Sequence, residues 1–309
     1  MPRAKIGSDL ERRVDSIVRV AGEHRTTVPV EALIDLLPEE APTSPAELEA
    51  WLREHPEIGA LPLDGQVGPP GLSLRDDLRV REARAARYTE AAVWLFAQPL
   101  SSLEPLIQCA AVTGSVAFGR PEAGDDCDLM VVTRRGALWV FLTFTFLRLR
   151  SLHRPASSAD APEFCLNYIV DEDSAEADYA TSRGLLFARE ALTVRLLLGD
   201  PYYRSLLARA SWLQREAPRL YARWQSTSST PIDRSIAPVA ATTQFLNLLL
   251  FPLVASYLQL KGVLAGHRLR RAGLARQEFR TITGLGRMTL RTLKFERLRS
   301  TYGSALDTP

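Results

Sequence analysis

Lysine, cysteine and histidine are all scarce in this 309-residue chain. The three cysteines, Cys109, Cys127 and Cys165, are widely spaced and form no CxxC pair, which excludes a disulfide framework and a thiolate zinc site. Each lies in an apolar, strand-like run, where a free cysteine is expected to behave as a small core residue. The four histidines (His24, His55, His153 and His267) are scattered, with no HExxH and no carboxylate cluster around them. No histidine-based metal centre is expected. Only Lys5, Lys261 and Lys294 are lysines among the 38 basic residues. The opening segment, MPRAKIGSDLERR, lacks an apolar h-region, so no secretory signal is expected there and the location is read as cytoplasmic.

Apolar residues make up 46% and charged residues 24%, ordinary globular usage that excludes wholesale disorder, collagen and coiled-coil rods. The length suggests two or three compact units. The formal charge of +2 hides a gradient. Basic against acidic counts are 7 to 13 over residues 1–74 and 11 to 14 over 75–175. They are 9 to 6 over 176–260 and 11 to 3 over 261–309. The chain thus runs from −6 through −3 and +3 to +8, and the basic tail is expected to meet something anionic, nucleic acid or a membrane surface.

Three short helices are expected over 8–22, 29–37 and 44–53, the first opening on a Ser8/Glu11 capping-box spacing and the third carrying Pro45 in its first turn. Two short strands around Asp64-Gly65 follow as a hairpin. Three helices and a hairpin resemble a winged-helix unit, but the −6 charge argues against a duplex footprint and for a protein-packing role. Residues 75–98 read as a helix studded with Arg75, Arg79, Arg81, Arg84 and Arg87, either a solvated face, the favoured reading, or a basic wall over a phosphate site. Strand-like runs at 107–113, 129–133 and 164–170, with an apolar helix over 137–149, indicate a mixed α/β sheet. Helices are expected over 179–198, 201–224, 238–265 and 274–300, with QSTSSTPID at 225–233 as a linker. Tyr168 and Trp139 are read as core.

Chemistry concentrates in VTGSVAFGRPEAGDDCDLMVV, residues 112–132. Gly114 permits a tight turn and close backbone approach, and Ser115 adds a hydroxyl and an N–H where a short helix begins; both suit a phosphate. Asp126 and Asp128, two apart on a strand, point to one face. Two carboxylates on one side favour a hard divalent cation, chiefly Mg²⁺.

A hydrophobic residue, Gly-Ser, about ten residues and then Asp-x-Asp resembles the nucleotidyltransferase superfamily of DNA polymerase beta, poly(A) polymerases and small-molecule adenylyltransferases. The resemblance covers about residues 105–175. It implies that Gly114 and Ser115 hold a nucleoside triphosphate, ATP by default, and that Asp126 and Asp128 coordinate catalytic Mg²⁺ in a two-metal site. It also implies transfer of a nucleoside monophosphate to an acceptor hydroxyl of RNA, protein or a small molecule, with release of pyrophosphate. The family's third carboxylate comes from a later strand, here EFCLNYIVDED. Alternation places Glu163, Cys165 and Asn167 on one face, with the central position not acidic. Glu163 is the favoured catalytic acid; Asn167 as a replacement and Asp171 from the strand end are alternatives. Phe118 stands where small members carry arginine, and Asp125 is either an outer ligand or a turn residue. The alternative reading is a catalytically degenerate scaffold that binds nucleotide or RNA.

From Ser235 to Gln259 no residue is charged. The length would allow a membrane span, but Thr242, Thr243, Gln244, Asn247, Gln259 and the central Pro252 oppose one, as does the +8 tail. A buried helix of a C-terminal bundle is expected, with an in-plane membrane contact as the alternative. The tail arginines (Arg268, Arg270, Arg271, Arg276, Arg280, Arg287, Arg291, Arg297 and Arg299) are either solvated or an anionic-partner footprint, with aromatic interleaving limited to Phe279, Phe295 and Tyr302. The expected fold is therefore α+β: a winged-helix-like unit over 1–74, a nucleotidyltransferase-like mixed-sheet core over 75–175, and a helical domain with a basic tail over 176–309.

Overall fold

A computed structural model of the chain describes residues 3–63, 65–72, 77–152, 162–227, 239–271 and 279–292. Asp64, Arg75, His153, most of the expected linker (228–233), Arg276, Phe295, Arg297, Arg299 and Tyr302 lie outside the described residues.

The N-terminal unit comprises α1 (Arg3–Glu23), β1 (Val28–Pro29), α2 (Val30–Ile34), α3 (Pro45–Glu54), β2 (Ala60–Leu63) and β3 (Gln66–Gly68). Its sheet has the order β1-β3-β2. The capping box falls at α3: the Ser44 hydroxyl accepts from the Glu47 N–H, the Glu47 carboxylate accepts from the Ser44 N–H, and Pro45 occupies the first turn. The one expected at Ser8 is corrected, because α1 already runs from Arg3.

The central unit follows as α4 (Leu78–Ala97), a 3₁₀ turn (Ser101–Leu106), β4 (Ile107–Val112), α5 (Gly114–Ala117), β5 (Cys127–Thr133), α6 (Leu138–Leu152) and β6 (Phe164–Asp171). Then come α7 (Glu172–Ala180), α8 (Gly184–Thr193), β7 (Arg195–Leu198), α9 (Asp200–Arg209), α10 (Trp212–Glu216) and α11 (Pro218–Ser226). The described chain closes with α12 (Ala241–Arg271) and the hairpin β8 (Phe279–Gly284)–β9 (Arg287–Thr292).

Six strands make one mixed sheet, β7-β4-β5-β6-β9-β8, in which β5 and β6 run parallel and the other neighbours antiparallel. Period-2 alternation sorts its side chains onto two cores. Cys109, Ala111, Met130 and Val132 join α7–α11 and the interior of the N-terminal unit. Ala110, Val112, Leu129 and Val131 join α4 and α6, and α12 packs against that same side. Trp139 is fully buried there, and half-buried Tyr168 packs on the other core, donating its hydroxyl to Asp178 at 2.7 Å.

Three expectations for residues 176–309 are corrected. Residues 195–198 are strand, not the end of a helix. Gly199 at φ +75° lets the chain turn where a Cβ would overlap the Gln108 carbonyl, so the segment lies against β4. Residues 279–292 form a hairpin in place of a helix, because Thr-Ile-Thr and Met-Thr-Leu flank a Gly-Leu-Gly turn and β6 offers a free ladder edge. The C-terminal segment thus contributes three strands to the central sheet. Finally, α12 is not buried in a bundle: only 11% of its most apolar window is covered.

The N-terminal unit packs against α10 and α11. Arg219 reaches the carbonyls of Glu39, Ala41 and Pro42 at 2.7–2.9 Å, Arg13 donates to the Glu216 carbonyl at 2.7 Å, and Arg223 pairs with Asp35.

Candidate functional site

The chain leaves β4 through Thr113, whose N–H donates to the Asp128 carbonyl at 2.9 Å, and turns at Gly114 with φ +66°. That turn sets the Gly114 Cα against the Asp128 side chain so closely that a Cβ would overlap Oδ2 and lie 3.3 Å from Cγ. Glycine is required twice over, by the positive φ and by the carboxylate that fills the space. Gly114→Ala is expected to cost about 1–3 kcal/mol in stability and to weaken any Mg²⁺-dependent rise in Tm, both read in thermal melts with and without the cation.

Ser115 Oγ donates to Asp125 Oδ2 at 3.1 Å, and the same oxygen accepts the Glu122 N–H at 2.8 Å. Asp125 is therefore a turn-holding residue that fixes the Ser115 hydroxyl. The α4 arginines hold this loop from behind. Arg81, fully buried, donates to the carbonyls of Arg25 (3.0 Å) and Arg120 (3.4 Å) and pairs with Glu122 (3.3 Å); Arg84 donates to the Pro121 carbonyl at 2.9 Å. The expectation of a solvated helix face thus holds for Arg79 and Arg87, which are exposed, and is corrected for Arg81 and Arg84.

The parallel register pairs Asp128 with Cys165 directly. Carboxylate oxygens of Asp126 and Asp128 and the Cys165 sulfur all lie within 4.8 Å of one another. Cys165 is thus not simply a core residue, unlike buried Cys109 and Cys127. Glu163, just upstream of β6, is exposed and is not one of these three donors; its carbonyl accepts the Cys127 N–H at 2.7 Å. Asn167 lies where the β5–β6 register shifts, its Oδ1 buried and without a hydrogen-bond partner. Asp171 is at the far end of β6, paired with Thr133, about 20 Å along the strand from Cys165. There it accepts the Ser174 N–H and packs against Gly286.

No protein-family model matches the chain, and no curated protein or solved structure matches it. What the site can do is therefore read from its own residues.

Burial, then the charges of Asp126, Glu190 and Asp125, push the Asp128 carboxyl up to about 7; only the hydrogen bond with Cys165 acts in the other direction. Burial followed by Asp128 and Asp126 pushes the Cys165 thiol well above its ordinary value. A donor set of two carboxylates and a thiol, held together against their own repulsion, fits a divalent cation. With its folded pKa raised, Asp128 favours the native state less as pH climbs from about 4 to about 7, because the unfolded chain releases that proton first. Asp128→Asn is accordingly expected to raise the cation-free Tm at pH 8 by about 3–6 °C, from roughly 2 kcal/mol of relieved charge burial and repulsion, with no gain at pH 4. Melts at the two pH values check this.

Sequence reading missed three groups, all more than sixty residues downstream. Glu190 on α8 acts on Asp128. Arg189 stacks its guanidinium 3.8 Å from the Phe118 ring centroid, so an arginine reaches the place where Phe118 stood as a departure. Arg195 opens β7 and donates to the Ala117 carbonyl at 3.1 Å. No local pattern marks these residues, because folding α8 and β7 back onto the sheet is what brings them to the Gly114–Ser115 turn.

Proposed function

We propose that the chain is a nucleotidyltransferase-fold protein whose site takes a nucleoside triphosphate with a divalent cation, Mg²⁺ by default, and transfers its NMP to an acceptor hydroxyl. The observation that carries this is the grouping of Asp126, Asp128 and Cys165 donors, with Asp128 packed against the Gly114 turn. The order β4–α5–β5–α6–β6, with Gly-Ser after the first strand and the aspartates opening the second, supports a nucleotidyltransferase-like sheet. The helix and strand order of residues 3–68 likewise supports a winged-helix-like N-terminal unit.

Asp126 and Asp128 would hold the cation, which when bound supplies positive charge to the triphosphate. The Ser115 N–H would donate to the phosphate oxygens, while its hydroxyl, which donates to Asp125, holds the turn in place. Arg189 and Arg195 add positive charge around the same turn. The acceptor oxygen forms a bond to the α-phosphorus, the bond to pyrophosphate breaks, and the hydroxyl proton passes to a carboxylate. Glu190 on α8, whose charge acts on Asp128, is the candidate for that role, with Glu163, exposed just ahead of β6, as the alternative.

A second reading, a scaffold that binds nucleotide or RNA without turnover, is favoured by one observation: a thiol, Cys165, occupies the position opposite Asp128. Incubating the protein with α-labelled ATP, CTP, GTP or UTP, Mg²⁺ and a fractionated cell extract separates the two. Label in an RNA, protein or small-molecule fraction supports transfer and names the acceptor class. Mg²⁺-dependent nucleotide binding without label supports the second reading.

A further inference from the structure

We infer that the outward face of α12 docks flat on a lipid bilayer that carries anionic headgroups. A narrow stripe of this helix faces the protein. Asn247 and Ala255 are buried, and Leu250, Phe251, Val254 and Leu258 pack on the sheet core. Two polar contacts pin the helix along its length: Asn247 Oδ1 accepts the Trp139 N–H at 2.7 Å, and Gln259 Nε2 donates to the Thr281 carbonyl at 3.2 Å. The rest of its girth is open and largely apolar, with Ser256 and Gln259 among the few exposed polar residues. Phe245 (63% exposed), Leu248, Leu249, Leu253 (67%), Tyr257 (57%) and Leu260 point to solvent, and exposed Phe144 and Leu147 of α6 extend the patch. A helix that is apolar all round belongs inside something. At about 100 Å² for each exposed large side chain, this face exceeds the ~300–600 Å² of the largest patch on an ordinary monomer.

Topology fixes the orientation. β6 precedes α12 in the chain and β9 follows it, and the two pair through Tyr168 and Thr289. The contacts at Asn247 and Gln259 hold both ends of the apolar stretch of α12 on that same folded body, on one side of any membrane. A span is excluded, and an in-plane helix sunk ~5–10 Å into the headgroup region remains.

Charge selects the occupant. The uncharged run ends at Lys261, and Arg268, Arg270 and Arg271 follow in the last turns of the helix. No Asp or Glu occurs between Asp233 and Glu278. A second copy laid against this face would bring α12 against α12, with no acid on that helix to meet those cations. Anionic headgroups would supply the opposite charge to Lys261 and to the basic stretch that follows it in the sequence.

Flotation of the full chain with vesicles of phosphatidylcholine alone, or with 30% phosphatidylglycerol, tests this. We expect binding to the anionic vesicles, at least ~10-fold weaker to the neutral ones or in 0.5 M salt. Leu249→Glu with Leu253→Glu, both on the solvent side, should abolish flotation while leaving the far-UV spectrum unchanged. Independently, Tyr257→Trp should show blue-shifted emission quenched by brominated lipid. No flotation with anionic vesicles would overturn the inference. So would flotation that survives the double substitution, or a dimer in light scattering that the same double substitution dissociates.

Discussion

Replacing Asp126 and Asp128 together by alanine is expected to abolish NMP transfer, a loss of at least ~10³-fold, while leaving the fold intact. The size follows from where the two residues sit. They are the only carboxylates among the three donors that lie together beside the Gly114 turn, so their removal takes both carboxylates from the proposed cation site. The fold should tolerate the change, because the site buries charge and sets acids against one another. The Asp128 carboxyl is pushed up to about 7 by burial and by neighbouring acids, so deleting it removes a cost to the cation-free state. Loss of transfer should therefore come with an unchanged or raised Tm at pH 8. The labelled-nucleotide assay and a thermal melt on one preparation check both halves. Transfer retained by the double variant would sink the nucleotidyltransferase reading, and transfer lost together with the fold would remove the argument from repulsion.

Cys165→Asp is expected to move the proposed cation site further toward Mg²⁺ and away from soft metals. The thiol lies opposite Asp128 in the parallel register and within 4.8 Å of both aspartates. Sulfur is a soft donor suited to Zn²⁺ or Cd²⁺, whereas a third carboxylate suits Mg²⁺. The variant should bind Mg²⁺ about 10-fold more tightly and Cd²⁺ about 100-fold more weakly than the parent. The thiolate-to-Cd²⁺ charge-transfer band of the parent should vanish. Three acids in one partly buried place should also lower the cation-free Tm, the reverse of Asp128→Asn. Titration calorimetry and ultraviolet absorption read these effects. Equal Mg²⁺ affinity in parent and variant, with no charge-transfer band in either, would show that the sulfur is not a ligand.

Much of the site was legible in the residue string because its parts are local. Gly114, Ser115, Asp126 and Asp128 lie within fifteen residues, on a strand–turn–strand whose alternation dictates that the two aspartates share a face. The same alternation identified Cys165 as the central residue on its face of the next strand. It did not say that Cys165, in place of Glu163 or Asn167, would oppose Asp128, since register between strands joined by a long crossover depends on how α6 packs. Arg189, Glu190 and Arg195 carried no signal at all, because their approach depends on α8 and β7 folding back over the sheet.

The C-terminal third shows the same division from the other side. Its charge gradient, its uncharged stretch from 235 to 259 and its Gly-Leu-Gly turn are properties of the sequence alone. Strand formation by 279–292 and 195–198 was decided by tertiary structure, because short segments of mixed propensity take whatever ladder edge the sheet offers, and β6 and β4 each had one free. The placement of α12 was decided in the same way. Composition required that its apolar surface be covered, and only the packing of Asn247 and Ala255 against the sheet determined which narrow stripe the protein covers and which broad face it leaves open.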